Sequence, residues 1–319
     1  MSGLPNELRN AVRRLISGQG GFAAQAKRMS EHYRGGGRSD STLDLNAYLV
    51  TRMPATFAAV KACLNEVPQH IAPLTMLDVG SGPGTASWAA TEAFPDISKI
   101  TFLDNNKQFL QQAKSMATQS PNQALRKVTA LHGNLEKFPD DLSADLVVAA
   151  YALAELPVTT ASAIAHSLWR ACSNTLIIIE PGTPQGFARI KEARLSLIAS
   201  GAHILAPCTH SSSCPMESPG WCHFKVRLAR SREHLHAKNA KVPFEDEKFS
   251  YVIASRYASQ RQSSRILAPP AETKVEITFK VCSEAGITRQ SITRRDKAEY
   301  KQVRKLEWGD LLYQFKSGS

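Results

Sequence analysis

The sequence predicts an α/β domain in which helices cover both faces of a parallel sheet, preceded by a helical region and followed by a cysteine-rich insertion and a basic tail. Three observations carry this reading. Between residues 71 and 200, short apolar runs alternate with helical ones. Strands are expected at Thr75–Val79, Ile100–Leu103, Val128–His132, Ala144–Ala150 and Asn174–Glu180, and helices at Thr85–Phe94, Lys107–Ala117 and Val158–Cys172. Alternation at these lengths gives parallel strands joined by crossover helices. The first strand breaks into Asp78-Val79-Gly80-Ser81-Gly82-Pro83-Gly84, a glycine turn that opens a helix. The second strand ends in Asp104, about twenty residues on, where a doubly wound sheet places an acid to receive ribose hydroxyls.

The turn has its own chemistry. Glycines at alternate positions permit a sharp bend and let a ligand approach the backbone without meeting a Cβ, and the helix that follows offers free N–H groups. The spacing is not the G-x-G-x-x-G that cradles a dinucleotide pyrophosphate. An acid two residues before the first glycine suits a ligand bearing a positive amine. Strand, turn, helix, strand and acid together resemble the S-adenosylmethionine pocket of class I methyltransferases, so a Rossmann-like, S-adenosylmethionine-dependent methyltransferase fold is expected. Asp78, Gly80, Ser81, Gly82, Gly84 and Asp104 are the expected cofactor-binding residues, with Asn134, after Leu131-His132-Gly133, a candidate for the adenine edge. The plain alternative for Asn134 is turn chemistry.

Residues 1–70 read as helical. Leu4-Pro5-Asn6-Glu7 starts a helix whose apolar stripe is Leu8, Val12, Leu15 and Ile16. Ala23–Tyr33, a loop at Arg34–Ser39 and a helix over Leu43–Leu64 follow, the last kinked or restarted at Pro54. Arg9, Arg13, Arg14, Lys27, Arg34, Arg38 and Arg52 give this region a basic face. After the fourth strand, Tyr151 and Glu155 stand where a methyl acceptor would be met; they are the candidate catalytic residues, with packing as the alternative. The Asn/Asp-Pro-Pro-aromatic motif of exocyclic amine methylation is absent there, and so is any cysteine to attack a pyrimidine ring.

At 319 residues with 43% hydrophobic content, the chain can build a sizeable core. Its net charge of +11 favours an anionic partner, nucleic acid first among them. Arg9, Arg13 and Arg14 interrupt any apolar run near the start, and no run is long enough to span a bilayer. No signal peptide or membrane association is expected, and a reducing compartment follows, in which clustered thiols favour a metal over disulfides. Residues 201–225 carry Cys208, Cys214 and Cys222 in a proline- and serine-rich loop with little to pack. A metal would supply its order. Cys282 is a candidate fourth ligand, and the spacing leaves zinc and an iron–sulfur cluster both open, with His203, His210 and His223 near enough for a mixed zinc site. Cys63 and Cys172 read as core thiols on helix faces. Residues 226–319 are expected to complete the sheet and contact RNA. Half-buried strands are expected at Phe249–Ala254 and Val275–Val281, an acidic turn at Glu245–Glu247 and a loop over 263–270. Seven Lys or Arg against two acids lie between 289 and 305.

Several stretches resemble one family. They are Tyr48-Leu49-Val50-Thr51-Arg52-Met53-Pro54-Ala55-Thr56, the LDVGSGPG turn, Glu180-Pro181-Gly182-Thr183-Pro184-Gln185-Gly186-Phe187, Pro207-Cys208, Cys214-Pro215, Trp221-Cys222-His223-Phe224, the run from Phe244 to Tyr251 and Trp308-Gly309-Asp310. The chain is similar to the methyltransferase-like small-ribosomal-subunit assembly factors, the Rsm-twenty-two family of bacteria and mitochondria. The resemblance implies association with the small ribosomal subunit and its rRNA. It also implies a 4Fe-4S cluster held by Cys208, Cys214, Cys222 and Cys282. The expected protein is monomeric off the ribosome and cytoplasmic in a bacterium, or else in the mitochondrial matrix. Three readings stand: an rRNA methyltransferase, a non-catalytic RNA-binding assembly factor, and a zinc-containing small-molecule methyltransferase.

Overall fold

A computed structural model describes residues 3–17, 45–258 and 263–313. The main sheet contains β1 (Thr75–Val79), β2 (Lys99–Asp104), β3 (Thr129–His132), β4 (Ala144–Ala150), β5 (Cys172–Pro181), β6 (His203–Ala206), β7 (Phe224–Ala229) and β8 (Phe244–Ser255). Its order is β3-β2-β1-β4-β5-β8-β6, with β7 paired to β8. The first five strands run parallel, and β8 lies antiparallel to β5, β6 and β7. The doubly wound α/β sheet is as expected. It reverses direction between β1 and β4, which opens a crevice beyond the strand ends.

Strand alternation sorts the apolar residues onto two faces. Met76, Val148, Ile177 and Ile253 point into one core, together with α1 (Asn6–Ile16), α2 (Leu45–Thr51), α3 (Met53–Leu64), α4 (Thr85–Ala93) and α5 (Lys107–Ala117). Leu77, Val147, Ile178 and Val252 point into the other, under α6 (Ala161–Arg170) and α7 (Pro184–Ala199). The break expected at Pro54 is real: α2 ends at Thr51, and α3 begins at Met53 with Pro54 in its first turn, where a missing N–H costs nothing. The expected helix over Ala23–Tyr33 and the loop at Arg34–Ser39 lie outside the described residues. Cys172 is not on a helix but begins β5, its thiol buried as expected.

The C-terminal part departs from expectation in three ways. Only β7 and β8 complete the main sheet. A second sheet forms from β9 (Ser263–Ile266), β10 (Ala271–Glu272), β11 (Glu276–Ser283), β12 (Gly286–Thr293) and β13 (Leu311–Tyr313), over a small core of Ile266, Ile277, Phe279, Val281, Ile292, Val303 and Leu312. The expected loop at 263–270 contains β9, whose Ser263, Ser264 and Arg265 are polar yet buried because β9 lies between β11 and β13. The expected acidic turn at Glu245–Glu247 is strand. Its charges are met by Arg52 on Glu247, Arg227 on Asp246, and Arg230 and Lys238 on Glu245.

Candidate functional site

The glycine turn sits in the crevice. Gly80, Gly82 and Gly84 have φ of +63°, +51° and +79°, values a side chain disfavours. The amides of Gly80 and Ser81 both donate to the Leu103 carbonyl at 2.8 and 3.2 Å, which ties the turn to β2. A Cβ on Gly80 would lie 2.5 Å from that of Ala152, and one on Gly84 would lie 2.7 Å from the Phe102 ring. At Gly82 the nearest atom to such a Cβ is the Tyr48 hydroxyl, at 3.8 Å. Gly80 and Gly84 therefore serve packing, and Gly82 is the glycine that faces the open crevice.

Asp104 lines the crevice with Gly80, Gly82, Asn134, Tyr48 and Phe109. Its carboxylate accepts the Gly82 amide at 2.7 Å and the Asn106 amide at 2.7 Å, joining the glycine turn to the start of α5. Burial raises its pKa. Asn134 also lines the pocket, and its side-chain oxygen accepts the Glu136 amide at 2.8 Å, the turn chemistry that was the alternative reading. Ser81 is buried, with its hydroxyl unpartnered. Asp78 does not line the crevice among the residues that do; one carboxylate oxygen accepts both the amide and hydroxyl of Ser87, at 3.1 and 2.8 Å. Burial pushes its pKa up to about 7. In this structure Asp78 anchors α4 and reaches the ligand side only through the turn it holds.

On the acceptor side, Tyr151 adopts φ +61°, a strained conformation for an aromatic residue. Its hydroxyl donates to Glu247 at 2.9 Å, and Arg52 donates to the same carboxylate at 3.1 and 3.3 Å. Arg52 is thus half of a largely buried ion pair and not part of a solvated basic face. Burial, and then the Glu247 charge, holds the phenol well above its ordinary pKa. Glu155 lines the crevice beside it. The intervening loop is fixed by Glu180, which accepts the Leu153 amide at 3.0 Å, and by Arg189, which donates to the Ala154 and Leu156 carbonyls. Glu180 is fully buried, and burial pushes its pKa up to about 8 despite Arg189. Tyr48, Glu180 and Glu247 lie in the stretches that carry the family resemblance, yet nothing in the sequence assigns them to this site, and Arg189 carries no signal at all; they are brought in by α2, β5, β8 and α7.

Cys208, Cys214, Cys222 and Cys282 line a single, mostly apolar cavity between the two sheets, with Arg194 and Arg265 among its walls. The fold therefore gathers the four thiols expected together, three from the loop after β6 and one from β11. Among the described residues no group of three or more His, Cys, Asp or Glu side chains is arranged to hold a metal ion. Burial raises the Cys208 and Cys222 thiols, and the charges of neighbouring cysteines raise Cys222 further. Cys282 is pushed up to about 12 by burial and then by Cys208 and Cys214. Arg265, from β9, donates to the Pro207 and Gly309 carbonyls and to both oxygens of Glu66 at 2.9 Å. Cys63 and Cys172 lie elsewhere, in the cores.

The ribosome assembly protein METTL17, mitochondrial, of Homo sapiens is 24% identical over 286 residues, covering 83% of this chain and 61% of that protein. The Rsm22-cox11 tandem protein 2, mitochondrial, of Schizosaccharomyces pombe is 26% identical over 335 aligned positions, covering 83% of this chain and 42% of that protein. The chain thus spans less than two thirds of either relative. Among solved structures, the magnesium protoporphyrin IX methyltransferase of Synechocystis PCC 6803 with bound SAM is 16% identical, covering 81% of this chain and all of that one, at a TM-score of 0.43. A family model described as mitochondrial small ribosomal subunit Rsm22 matches residues 42–313, from α2 through the glycine turn and all four cavity cysteines to β13, and the chain belongs to that family.

Proposed function

We propose that this chain is a methyltransferase-like assembly factor of the small ribosomal subunit that binds S-adenosylmethionine in the β1–β4 crevice and an iron–sulfur cluster at the four cysteines. The crevice carries the reading. Gly82 leaves space open above the turn, the Asp104 carboxylate stands beside it for ribose hydroxyls, and Asn134 and Leu135 also line the crevice. The seven cationic side chains of residues 289–305 are all exposed, on β12, the helix α8 (Lys297–Val303) and their flanks, a surface suited to RNA phosphates. Both named relatives are mitochondrial proteins, which favours the mitochondrial matrix for the site of action.

The four thiols suit a cluster better than a single ion. They line one cavity, the donor set is all sulfur, and the buried Arg194 in the same wall offers N–H groups to sulfur. Cys208, Cys214, Cys222 and Cys282 would hold the group. When bound, it supplies cross-links between the loop after β6 and the second sheet, and a redox couple.

Methyl transfer itself is a second question. The hydroxyl of Tyr151, the nearest candidate for acid–base work, is engaged by Glu247 and backed by Arg52. That arrangement favours binding and positioning over proton transfer, and hence an assembly factor over an rRNA methyltransferase. The zinc-containing small-molecule methyltransferase is disfavoured by the basic second sheet. Calorimetric titration with S-adenosylmethionine tests the crevice: saturable 1:1 binding is expected, weakened at least about tenfold in Asp104→Asn by loss of a charge-assisted hydrogen bond. No binding to the wild-type chain would remove the reading. Transfer of a labelled methyl group to small-subunit RNA would select the enzyme. Iron, sulfide and zinc content of protein purified without oxygen decides the cysteine site.

A further inference from the structure

Arg194 is a buried cation whose donors face sulfur. It lies on α7, with 3% of its surface exposed, and lines the cysteine cavity. Its Nη2 donates to the His210 and Ser212 carbonyls at 2.9 and 2.8 Å, inside the segment between Cys208 and Cys214. Its Nε and Nη1 are buried and find no oxygen acceptor; the acceptor within the guanidinium's reach is the Cys208 sulfur. The other buried arginines differ. Arg265 uses Nε, Nη1 and Nη2 on Pro207, Gly309 and Glu66, and Arg189 uses Nε and Nη2 on carbonyls and sets Nη1 3.8 Å from Glu180. Ser212 Oγ donates to Glu284 at 2.9 Å, which leaves that carboxylate one residue removed from the guanidinium; the cavity wall that Arg194 shares carries the four thiols and two further cations, Lys191 and Arg265.

A buried guanidinium without a counter-charge beside it is costly, and N–H donors lacking an oxygen acceptor add to that cost. Both are relieved if an anion occupies the cavity. Four thiolates bring more negative charge than an iron–sulfur core cancels, and sulfur atoms of such a group accept N–H hydrogen bonds. We propose that Arg194 is a positioning residue for the sulfur-ligated group. Nη2 holds the Cys208–Cys214 segment in place, while Nε and Nη1 donate to sulfur and compensate the net negative charge, so that Arg194 sets the group's reduction potential. This rests on the cluster reading of the cysteines.

Because added electron density is stabilised by a nearby cation and by N–H···S bonds, removing Arg194 lowers the potential. The test uses the full chain, loaded with iron and sulfide without oxygen, as wild type, Arg194→Gln and Arg194→Lys. Iron and sulfide are counted, and the cluster is titrated redox-potentiometrically by electron paramagnetic resonance. Equal loading is expected, with the Gln variant's reduced fraction down about tenfold at a fixed potential, or about 59 mV for one electron. Lys keeps the charge but cannot serve two carbonyls and two sulfurs at once, so a smaller downward shift is expected. Midpoints equal to wild type in a loaded variant overturn the proposal. If Gln fails to load, the Lys midpoint decides in the same way. A wild-type chain that takes up zinc or nothing overturns the cluster reading, and this proposal with it, an outcome distinct from equal midpoints on an intact cluster.

Discussion

The crevice and the cysteine cavity are built on opposite plans. In the crevice, the backbone amides of the turn are matched to acceptors close by: Gly80 and Ser81 to Leu103, Gly82 and Asn106 to Asp104, Ser87 to Asp78, with the Ser81 and Thr85 hydroxyls left buried without a partner. The elements involved are consecutive, and the site stands ready without a ligand. The cavity is gathered from segments as far apart as Cys208 and Cys282, over an apolar lining, and gives the buried Nε and Nη1 of Arg194 no oxygen acceptor. A site whose backbone amides are already matched can be preorganised for binding. A site whose buried cation lacks an oxygen acceptor is completed by what it binds, so occupancy there contributes to the fold.

The comparison breaks most readily at Arg265, the side chain that joins the cavity to the rest of the molecule. It binds Glu66 at the end of α3, Pro207 beside Cys208, and Gly309 before β13. Arg265→Met removes one of the interactions of Glu66, whose side chain is 24% exposed, and takes the Arg265 donors from the Pro207 and Gly309 carbonyls. Loss of one member of such a pair costs about 3–5 kcal/mol. Denaturant unfolding should show that loss, and proteolysis should cut first between the two sheets while S-adenosylmethionine binding in the crevice persists. If crevice binding falls in parallel, the two regions are one cooperative unit and the contrast is void.

The same difference decides how far each region is legible in the sequence. Strand alternation and the glycine turn are local patterns, so Thr75–Val79, Ala144–Ala150 and Lys107–Ala117 match the structure end to end. Asp78 shows the limit: its place before the turn is readable, but that its carboxylate faces Ser87 and not the crevice depends on how α4 packs. The cavity's cysteines are visible as residues, whereas their wall is not. Arg194 draws no notice in the sequence, and Ser263-Ser264-Arg265 looks like a loop, because nothing local announces that polar residues will be enclosed. Likewise the acids at 245–247 read as a solvated turn until Arg52, Arg227, Arg230 and Lys238 are seen to arrive from elsewhere.

Asp78 offers a finer test of the preorganised crevice. Its folded pKa, about 7, lies above the ordinary aspartate value because burial disfavours the charged form. A group raised in the folded state contributes stability that is fully present below its unfolded pKa and is lost as pH rises through the folded one. Wild type should therefore lose stability relative to Asp78→Asn between pH 4 and 7, at up to about 1.4 kcal/mol per pH unit. The amide still presents an oxygen to the Ser87 N–H. Unfolding free energies of the two proteins measured across that window should diverge, and parallel curves would mean that the carboxylate is solvated and the turn looser than described.

The smallest effect separates ordinary thiols from cavity thiols. Cys172 is 1% exposed at the head of β5, packed with Trp169, Leu168 and Ala144. As a small buried hydrophobe, it should cost about 1 kcal/mol on replacement by Ala and leave metal content untouched. Cys222, in the cavity wall, should show a similarly modest loss in the metal-free chain after replacement by Ser. The difference belongs to the loaded protein, where Cys222→Ser should lose iron and sulfide together with the stability that occupancy confers. Thermal melts of both variants, metal-free and loaded, measure it directly. If Cys222→Ser keeps its metal and melts with Cys172→Ala under both conditions, the cavity is another patch of core, and occupancy has no part in holding the two sheets together.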